Sequence, residues 1–292
     1  MSDLVLPLTQ SEAFERTCNM LEISTTRIAS GAGTCLVQTR KLPLIGAFHL
    51  VSRGPVGADS TSFQDLLREV RGRLRGPLVV NAPAEAQQVG GLKIAAGAVL
   101  AVIDLIDPAL MRARLHQKWR NQLKKAEGSQ LVVTDQPLDP ERHNWFLDAE
   151  AAQQRANGYK SHPTHFLLAY AAANKGQARL YSAMLDGRPV AGMLVLKHGQ
   201  MATYQAGVTI PEGRAHCAHN LILWKIMCDL QMRRVQRLDL GRVDLSPGLR
   251  RFKLGSGAET ENFSGSFLYH HWFASRSAAM ADIEGSGIEA RS

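Results

Sequence analysis

Apolar positions along this chain recur at two periods. In "TSFQDLLREVRGRL", Phe63, Leu66, Leu67, Val70 and Leu74 fall at helical spacing, with Thr61 and Ser62 as caps. Ser11 to Glu22 reads as an amphipathic helix in the same way. "DPALMRARLHQKWRNQLKKAEGSQLVV" predicts one long basic helix, with Asp107 as N-cap, Pro108 at the first helical position and Gly128 as the stop. Further helices are expected from about Pro140 to Asn157, from His165 to Asn174 and over "AHNLILWKIMCDLQMRR".

Between these lie short β-rich runs. "TTRIASGAGTCLVQTRKLPLIGAFHLVSRGPVG" reads as strands joined by turns, the first of them "SGAGT", and "PLVVNAP" and "VLAVIDL" as single strands. "ARLYSAMLDGRPVAGMLVLKHGQMATYQAGVT" gives three strands separated by the hairpin signals "DGRP" and "KHGQ". A strand "VQRLDLG", a loop "RVDLSPGLRRFKLGSG" and a last strand region "ETENFSGSFLYHHWF" follow, and past Ser275 the small, polar tail is expected to be frayed. Each half thus shows helix, antiparallel strands, helix and strand, without a clear sequence repeat. The expectation is an α+β protein of two lobes with mixed, mostly antiparallel sheets. The lobes are placed at Met1 to Leu131 and Val132 to Ser275, and a flexible tail at 276–292.

At 292 residues, with 45% hydrophobic and 21% charged, the chain has the composition of a folded globular protein, which excludes wholesale disorder. A net charge of +8 favours a polyanionic partner: tRNA, a nucleotide-linked substrate or an anionic membrane face. The cations cluster at "REVRGRLRG", "RARLHQKWRNQLKK", "QMRRVQR" and "GLRRFK"; the alternative for the first three is a solvated helix face. From "MSDLVLPL" no secretory signal is expected, and "KIAAGAVLAVIDLI" is too short and too polar to span a bilayer. Cys18, Cys35, Cys217 and Cys228 form no CxxC pair, as in a reduced protein, so a cytoplasmic location is expected.

No GxSxG elbow, GxxxxGK[ST] loop or HExxH is present, and Gly31 and Gly33 lack the third glycine and the strand-to-helix setting of a dinucleotide fingerprint. His216, Cys217 and His219 stand at a helix start without a fourth ligand at any nearby spacing, a setting that suits phosphate or helix capping better than zinc. No metal or cofactor is expected.

"HLVSRGPVG", "KWRNQLKKAE", "DGRPVAGMLVLKHGQMATYQAGVT", "AHNLILWKIM", "RLDLGRVD" and "GLRRFKLGSGAE", in this order, resemble the FemABX family. The likeness runs from about Leu50 to Phe267 and is most specific in the C-terminal half. It implies tandem GNAT-like (acyl-CoA N-acyltransferase) lobes, and transfer of an aminoacyl group from aminoacyl-tRNA to an amine of a peptidoglycan precursor or another small molecule. Many members of the family are known only as BioF2-like acyltransferases of undefined donor. Against CoA, "PEGRAHCAHN" offers Arg214 and Gly213 but lacks the second glycine of a pyrophosphate-binding turn, which favours a larger, RNA-linked donor. An acyl-CoA-dependent N-acyltransferase and a non-catalytic module that binds nucleotide or nucleic acid are the alternatives.

The resemblance implies that Lys253 stabilises charge at the reaction centre, with Phe252 as a platform for the donor's terminal sugar or base; the alternatives are a surface turn and core packing. Asp239 and Asp244 would orient the amine or accept a proton, or else pair with Arg242 or Arg250. Tyr204 would donate to a substrate oxygen, or is a half-buried strand tyrosine. Arg214, His219 and Arg53 are further substrate-binding candidates. Trp119, Arg120 and Lys124 are candidates for nucleic acid, an aromatic between cations; alternatively Leu115, Trp119 and Leu123 form the buried stripe of their helix.

Overall fold

A computed structural model describes residues 4–30, 33–43, 46–57, 59–83, 91–159, 161–243 and 246–269. Gly31, Asp244 and the expected tail lie outside these residues. In chain order the first elements are α1 (Glu12–Met20), β1 (Thr25–Ser30), β2 (Gly33–Leu42), β3 (Gly46–Val51), α2 (Ser60–Arg73), β4 (Leu78–Pro83), β5 (Leu92–Ala96), β6 (Val99–Asp104), α3 (Pro108–Arg114), α4 (Gln117–Glu127) and β7 (Val132–Pro137). Then come α5 (Asn144–Asn157), α6 (Thr164–Ala173), β8 (Ala178–Leu185), β9 (Arg188–His198), β10 (Met201–Thr209), α7 (Pro211–Ala215), α8 (Ala218–Met232), β11 (Arg237–Arg242), α9 (Pro247–Gly255) and β12 (Glu259–Tyr269).

The chain parts into two compact units: Met1–Leu4, Ile23–Ala98 and Asn262–Ser292 in the first, Val5–Glu22 and Val99–Glu261 in the second. The division does not fall at Leu131. β6 is antiparallel to β11, and the Leu115, Trp119 and Leu123 stripe joins the core of the second unit, so 99–131 belongs there.

In the first unit the strands run β1-β2-β3-β4-β12, with β5 also on β12; β3 and β4 are parallel and the other pairs antiparallel. Phe63, Leu67 and Val70 of α2 pack on Val37, Val51 and Val80. The cap of α2 is Asp59, whose carboxylate accepts from Ser62 N–H at 2.8 Å, rather than Thr61 or Ser62, because the helix starts a turn earlier than the apolar period alone indicates.

In the second unit the order is β6-β11-β10-β9-β8-β7, antiparallel throughout except β10 beside β11. The hairpin turns stand where "DGRP" and "KHGQ" predict them, with Gly187 and Gly199 at positive φ. α8 lies across this sheet through Ile222, Leu223, Ile226 and Leu230. Two expectations are corrected. The long basic helix is two helices, because the backbone turns extended at Leu115 and His116; there His116 N–H donates to Gly255 O at 3.0 Å. The loop after β11 is largely the helix α9: Ser246 caps it by accepting from Leu249 N–H at 3.2 Å, and Pro247 fills its first turn.

Candidate active site

The site is built where two neighbouring strands stop pairing. β10 and β11 are in register for three residues only, Met201 to Thr203 against Arg237 to Asp239. A bulge at Tyr204 to Ala206 then carries β10 on with β9 alone, while β11 has its own irregularity between Asp239 and Gly241. Asp239 is the last β11 residue paired with β10, and Tyr204 is the first β10 residue beyond that pairing.

α9 delivers a cation to this point. Lys253 lies in its last turn, where the negative end of the helix dipole favours an ammonium, and is 5% exposed. Its Nζ donates to Arg242 O at 2.8 Å and sits 5.8 Å from the centre of the Tyr204 ring. A buried ammonium is costly unless it is well partnered, so its placement is specified by the fold rather than incidental. Gly241 lies beside the lysine at φ +72°, a left-handed conformation that favours glycine. Asp239, 1% exposed, turns back on its own strand and accepts from Gly241 N–H at 2.7 Å, fixing the left-handed residue.

Tyr204 is half-buried, and burial pushes its phenol up, so it stays protonated and able to donate. Its hydroxyl lies against Gly207, where a Cβ would meet it at 2.2 Å. His219, in the first turn of α8, donates Nε2–H to Val208 O at 3.0 Å; burial lowers its pKa and keeps the ring neutral. Cys217, just before that helix, adopts the left-handed conformation at φ +54° without being a glycine.

Phe252 and Leu254, on either side of Lys253 in α9, line a cavity of about 540 Å³. Trp119 from α4, Asn220 from α8, and Arg250, Arg251, Phe252 and Leu254 from α9 line it. Phe252 stands between Trp119, at 6.2 Å between ring centres, and His219, at 6.1 Å. Trp119 Nε1 and Asn220 Nδ2 are buried donors that find no acceptor among the described residues. The volume is that of a small-molecule or cofactor-fragment site, with aromatic walls and guanidinium groups at the rim.

The other candidates fall elsewhere. Instead of standing between the cations on the exposed face of α4, Trp119 is 3% exposed in the core stripe with Leu115 and Leu123, because those positions share one helix face. Arg120 folds back to donate to Leu115 O at 2.9 Å, closing the break between α3 and α4. Lys124 is exposed. Arg214 is exposed on the short α7, near enough to His219 to act on its charge. Arg53 belongs to the first unit, at φ +55° with its guanidinium 5.5 Å from the centre of the Phe263 ring.

Sequence reasoning missed Asn220, Arg251 and a buried polar cluster around Glu150 on α5. Asn220 sits at a helix N-terminus with the cavity beside it, and the run "GLRRFK" signalled the arginines. Glu150 carried no signal beyond a polar position in an otherwise solvated-looking helix.

Acetyltransferase (GNAT) domain is the family model that matches, over residues 112–259. Among solved structures the chain is similar to FemX, with a TM-score of 0.73 at 13% identity over 90% of this chain and 92% of that one. It is also similar to L-PGS from Bacillus licheniformis, with a TM-score of 0.54 at 13% identity over 91% and 94%. At such identities the likeness is one of fold. No curated protein matches by sequence.

Proposed function

Because the chain belongs to the acetyltransferase (GNAT) domain family and is thus an acyltransferase, we propose that it moves an aminoacyl group from aminoacyl-tRNA to an amine, with a peptidoglycan precursor as acceptor. The reaction needs a neutral amine held against an ester carbonyl, and a positive group where the tetrahedral intermediate places negative charge. The observation that carries the reading is Lys253: an ammonium buried at the parting of β10 and β11, its neighbours Phe252 and Leu254 in the wall of a cavity.

In this reading the donor's terminal nucleoside enters the cavity and stacks on Phe252, while Arg250 and Arg251 hold phosphate. The carbonyl then lies at the parting of the strands, where Lys253 meets the developing oxyanion and the Tyr204 hydroxyl supplies a second donor. Asp239 acts through the backbone it fixes, as a positioning residue. Arg214 and His219 border the start of α8, and Arg53 is the substrate-binding candidate of the first unit. The two units act as tandem lobes, and the reaction belongs to the cytoplasm, where charged tRNA is available. Among the described residues no helix is long and apolar enough to cross a membrane.

The family match itself favours a second reading, in which acyl-CoA is the donor. Incubation with labelled aminoacyl-tRNA and with labelled acyl-CoA, each against a panel of amines, separates the two. Label moving to amine from tRNA alone supports the first reading, and from CoA alone the second. Binding of either without turnover points to a non-catalytic module.

A further inference from the structure

Trp119 and Asn220 each carry an N–H group that the fold leaves open. Trp119 is 3% exposed and Asn220 5%, and among the described residues neither the indole Nε1 nor the amide Nδ2 has an acceptor. Most buried donors in folded proteins are paired, because one left unpaired bears its full desolvation cost. Here two of them line one cavity. The wall is also shaped to the indole: a Cβ on Gly255, a residue of the same lining, would meet Trp119 Cδ1, the atom bonded to Nε1, at 2.9 Å. A larger residue there would push the pyrrole edge aside.

The cavity grades from charged to neutral with burial. Lys118, Arg250 and Arg251 of its lining are exposed, Phe252 is half-buried, and Trp119 and Asn220 are buried. An anion drawn to the buried donors would exchange water for neutral N–H groups alone, which offset only part of its desolvation. Phosphate is therefore favoured at the exposed cations. The buried end suits an uncharged acceptor carried on a flat ring, since Trp119 and Phe252 supply aromatic walls. A nucleotide that enters base first meets both conditions.

We propose that Trp119 and Asn220 are specificity-determining residues that read adenine, their two N–H groups donating to its ring nitrogens N1 and N3. The choice of base rests on the transferase reading, because both donors considered there, aminoacyl-tRNA and acyl-CoA, carry adenosine. The N1–C2–N3 edge of adenine presents two acceptors and no donor, the complement of two N–H groups. Guanine and hypoxanthine carry a hydrogen on N1 and would set N–H against N–H, leaving buried polar groups unpaired on both sides. Phe252 then takes the face of the base, and Arg250 and Arg251 its 5′-phosphate. The shape of the cavity accepts a purine, and the two open donors select which one.

The probe is adenosine 5′-monophosphate, titrated calorimetrically against the full chain beside inosine 5′-monophosphate and the 1-deaza, 3-deaza and 7-deaza forms of the adenine nucleotide. Wild type is expected to bind the adenine nucleotide, to lose about 10-fold for the 1-deaza and the 3-deaza ligands and about 10- to 100-fold for the inosine nucleotide, and to keep the 7-deaza ligand. W119F and N220A each remove one donor. Each should weaken the adenine nucleotide by about 10-fold and lose nothing on the deaza ligand that lacks the nitrogen it serves. A loss equal for every ligand assigns the residue a structural part and overturns its role. Equal binding of the adenine and inosine nucleotides by wild type, or no binding of the adenine nucleotide, overturns the proposal without any variant. The two readings fail separately: base selection without transfer from either donor sinks the transferase reading alone, and transfer by a protein that binds both nucleotides alike sinks this inference alone.

Discussion

Helices α4 and α9 are both basic and both line the same cavity, yet they place their charge differently. On α4 the apolar stripe of Leu115, Trp119 and Leu123 faces the core, so Lys118, Lys124 and Lys125 stand in water and Arg120 is spent on the helix entry. On α9 the exposed Arg250 and Arg251 have a similar role at the rim, but the next turn sends Lys253 inward to 5% exposure. Solvated cations are screened within about 10 Å at ordinary salt and act additively on a polyanion. A buried ammonium keeps its field and acts on whatever charge forms beside it. In the proposed reaction the same residue type serves attraction on one helix and chemistry on the other, and depth decides which.

The comparison breaks most visibly at Lys253. K253A is expected to lower kcat by about 10²- to 10³-fold, the scale of losing an oxyanion donor, with the fold intact by circular dichroism. K253R should rescue poorly, because a planar fork does not occupy the place of a compact ammonium. On the donor side, F252L should weaken binding of an RNA donor by the equivalent of about 1–3 kcal/mol, the worth of a base stacked on an aromatic ring, measured by titration. Unchanged affinity would move the stacking platform elsewhere.

The α4 cations should show themselves through salt. A plot of log affinity against log salt for a tRNA donor should be steep, and K118E with K124E should flatten it by about 0.7–0.9 for each phosphate no longer neutralised. A slope indifferent to both would assign the exposed face of α4 to solvent alone. At the level of the fold, S246A removes the cap that starts α9 and should cost about 1 kcal/mol in denaturant unfolding.

The smallest expected effect concerns Arg112 and Glu127, which tie α3 to α4 by paired hydrogen bonds of 2.7 and 2.6 Å. The hydrogen bond from Arg112 holds the Glu127 carboxyl below its ordinary 4.5. Stability from this pair is therefore fully present above about pH 4.5 and lost as pH falls through the lower, folded value. The free energy of denaturant unfolding, followed from neutral into acid, should fall less steeply in E127Q, by less than about 1 kcal/mol for so exposed a pair.

Much of the second unit was legible because its punctuation is local. "DGRP" and "KHGQ" demand positive φ where glycine stands, and Asp107 with Pro108 starts a helix whatever lies around it; its side chain accepts from Ala109 N–H and Leu110 N–H. α9 was misread for the opposite reason: in "SPGLRRFKLG" the proline and glycine read as a loop, although Ser246 before Pro247 is a helix start. The break at Leu115 and His116 was not legible, since it depends on Gly255, far along the chain, offering its carbonyl. Lys253 was singled out through its motif, but its depth was not legible, because it depends on Arg242 and Tyr204, far along the chain, closing around the ammonium. Glu150 looked solvated because the chain that covers it returns only after Gly158 reverses direction at φ +66° and brings Tyr159 back onto α5.

The central claim is that Lys253 acts on charge formed in the transition state. It is tested most directly by the affinity of wild type and K253A for a tetrahedral phosphonate analogue that joins donor and amine, set beside their affinity for the unreacted donor. The account predicts that K253A loses about 10²- to 10³-fold toward the analogue, matching its loss in kcat, and keeps its affinity for the donor. Equal weakening toward both ligands, or none toward the analogue, would contradict it.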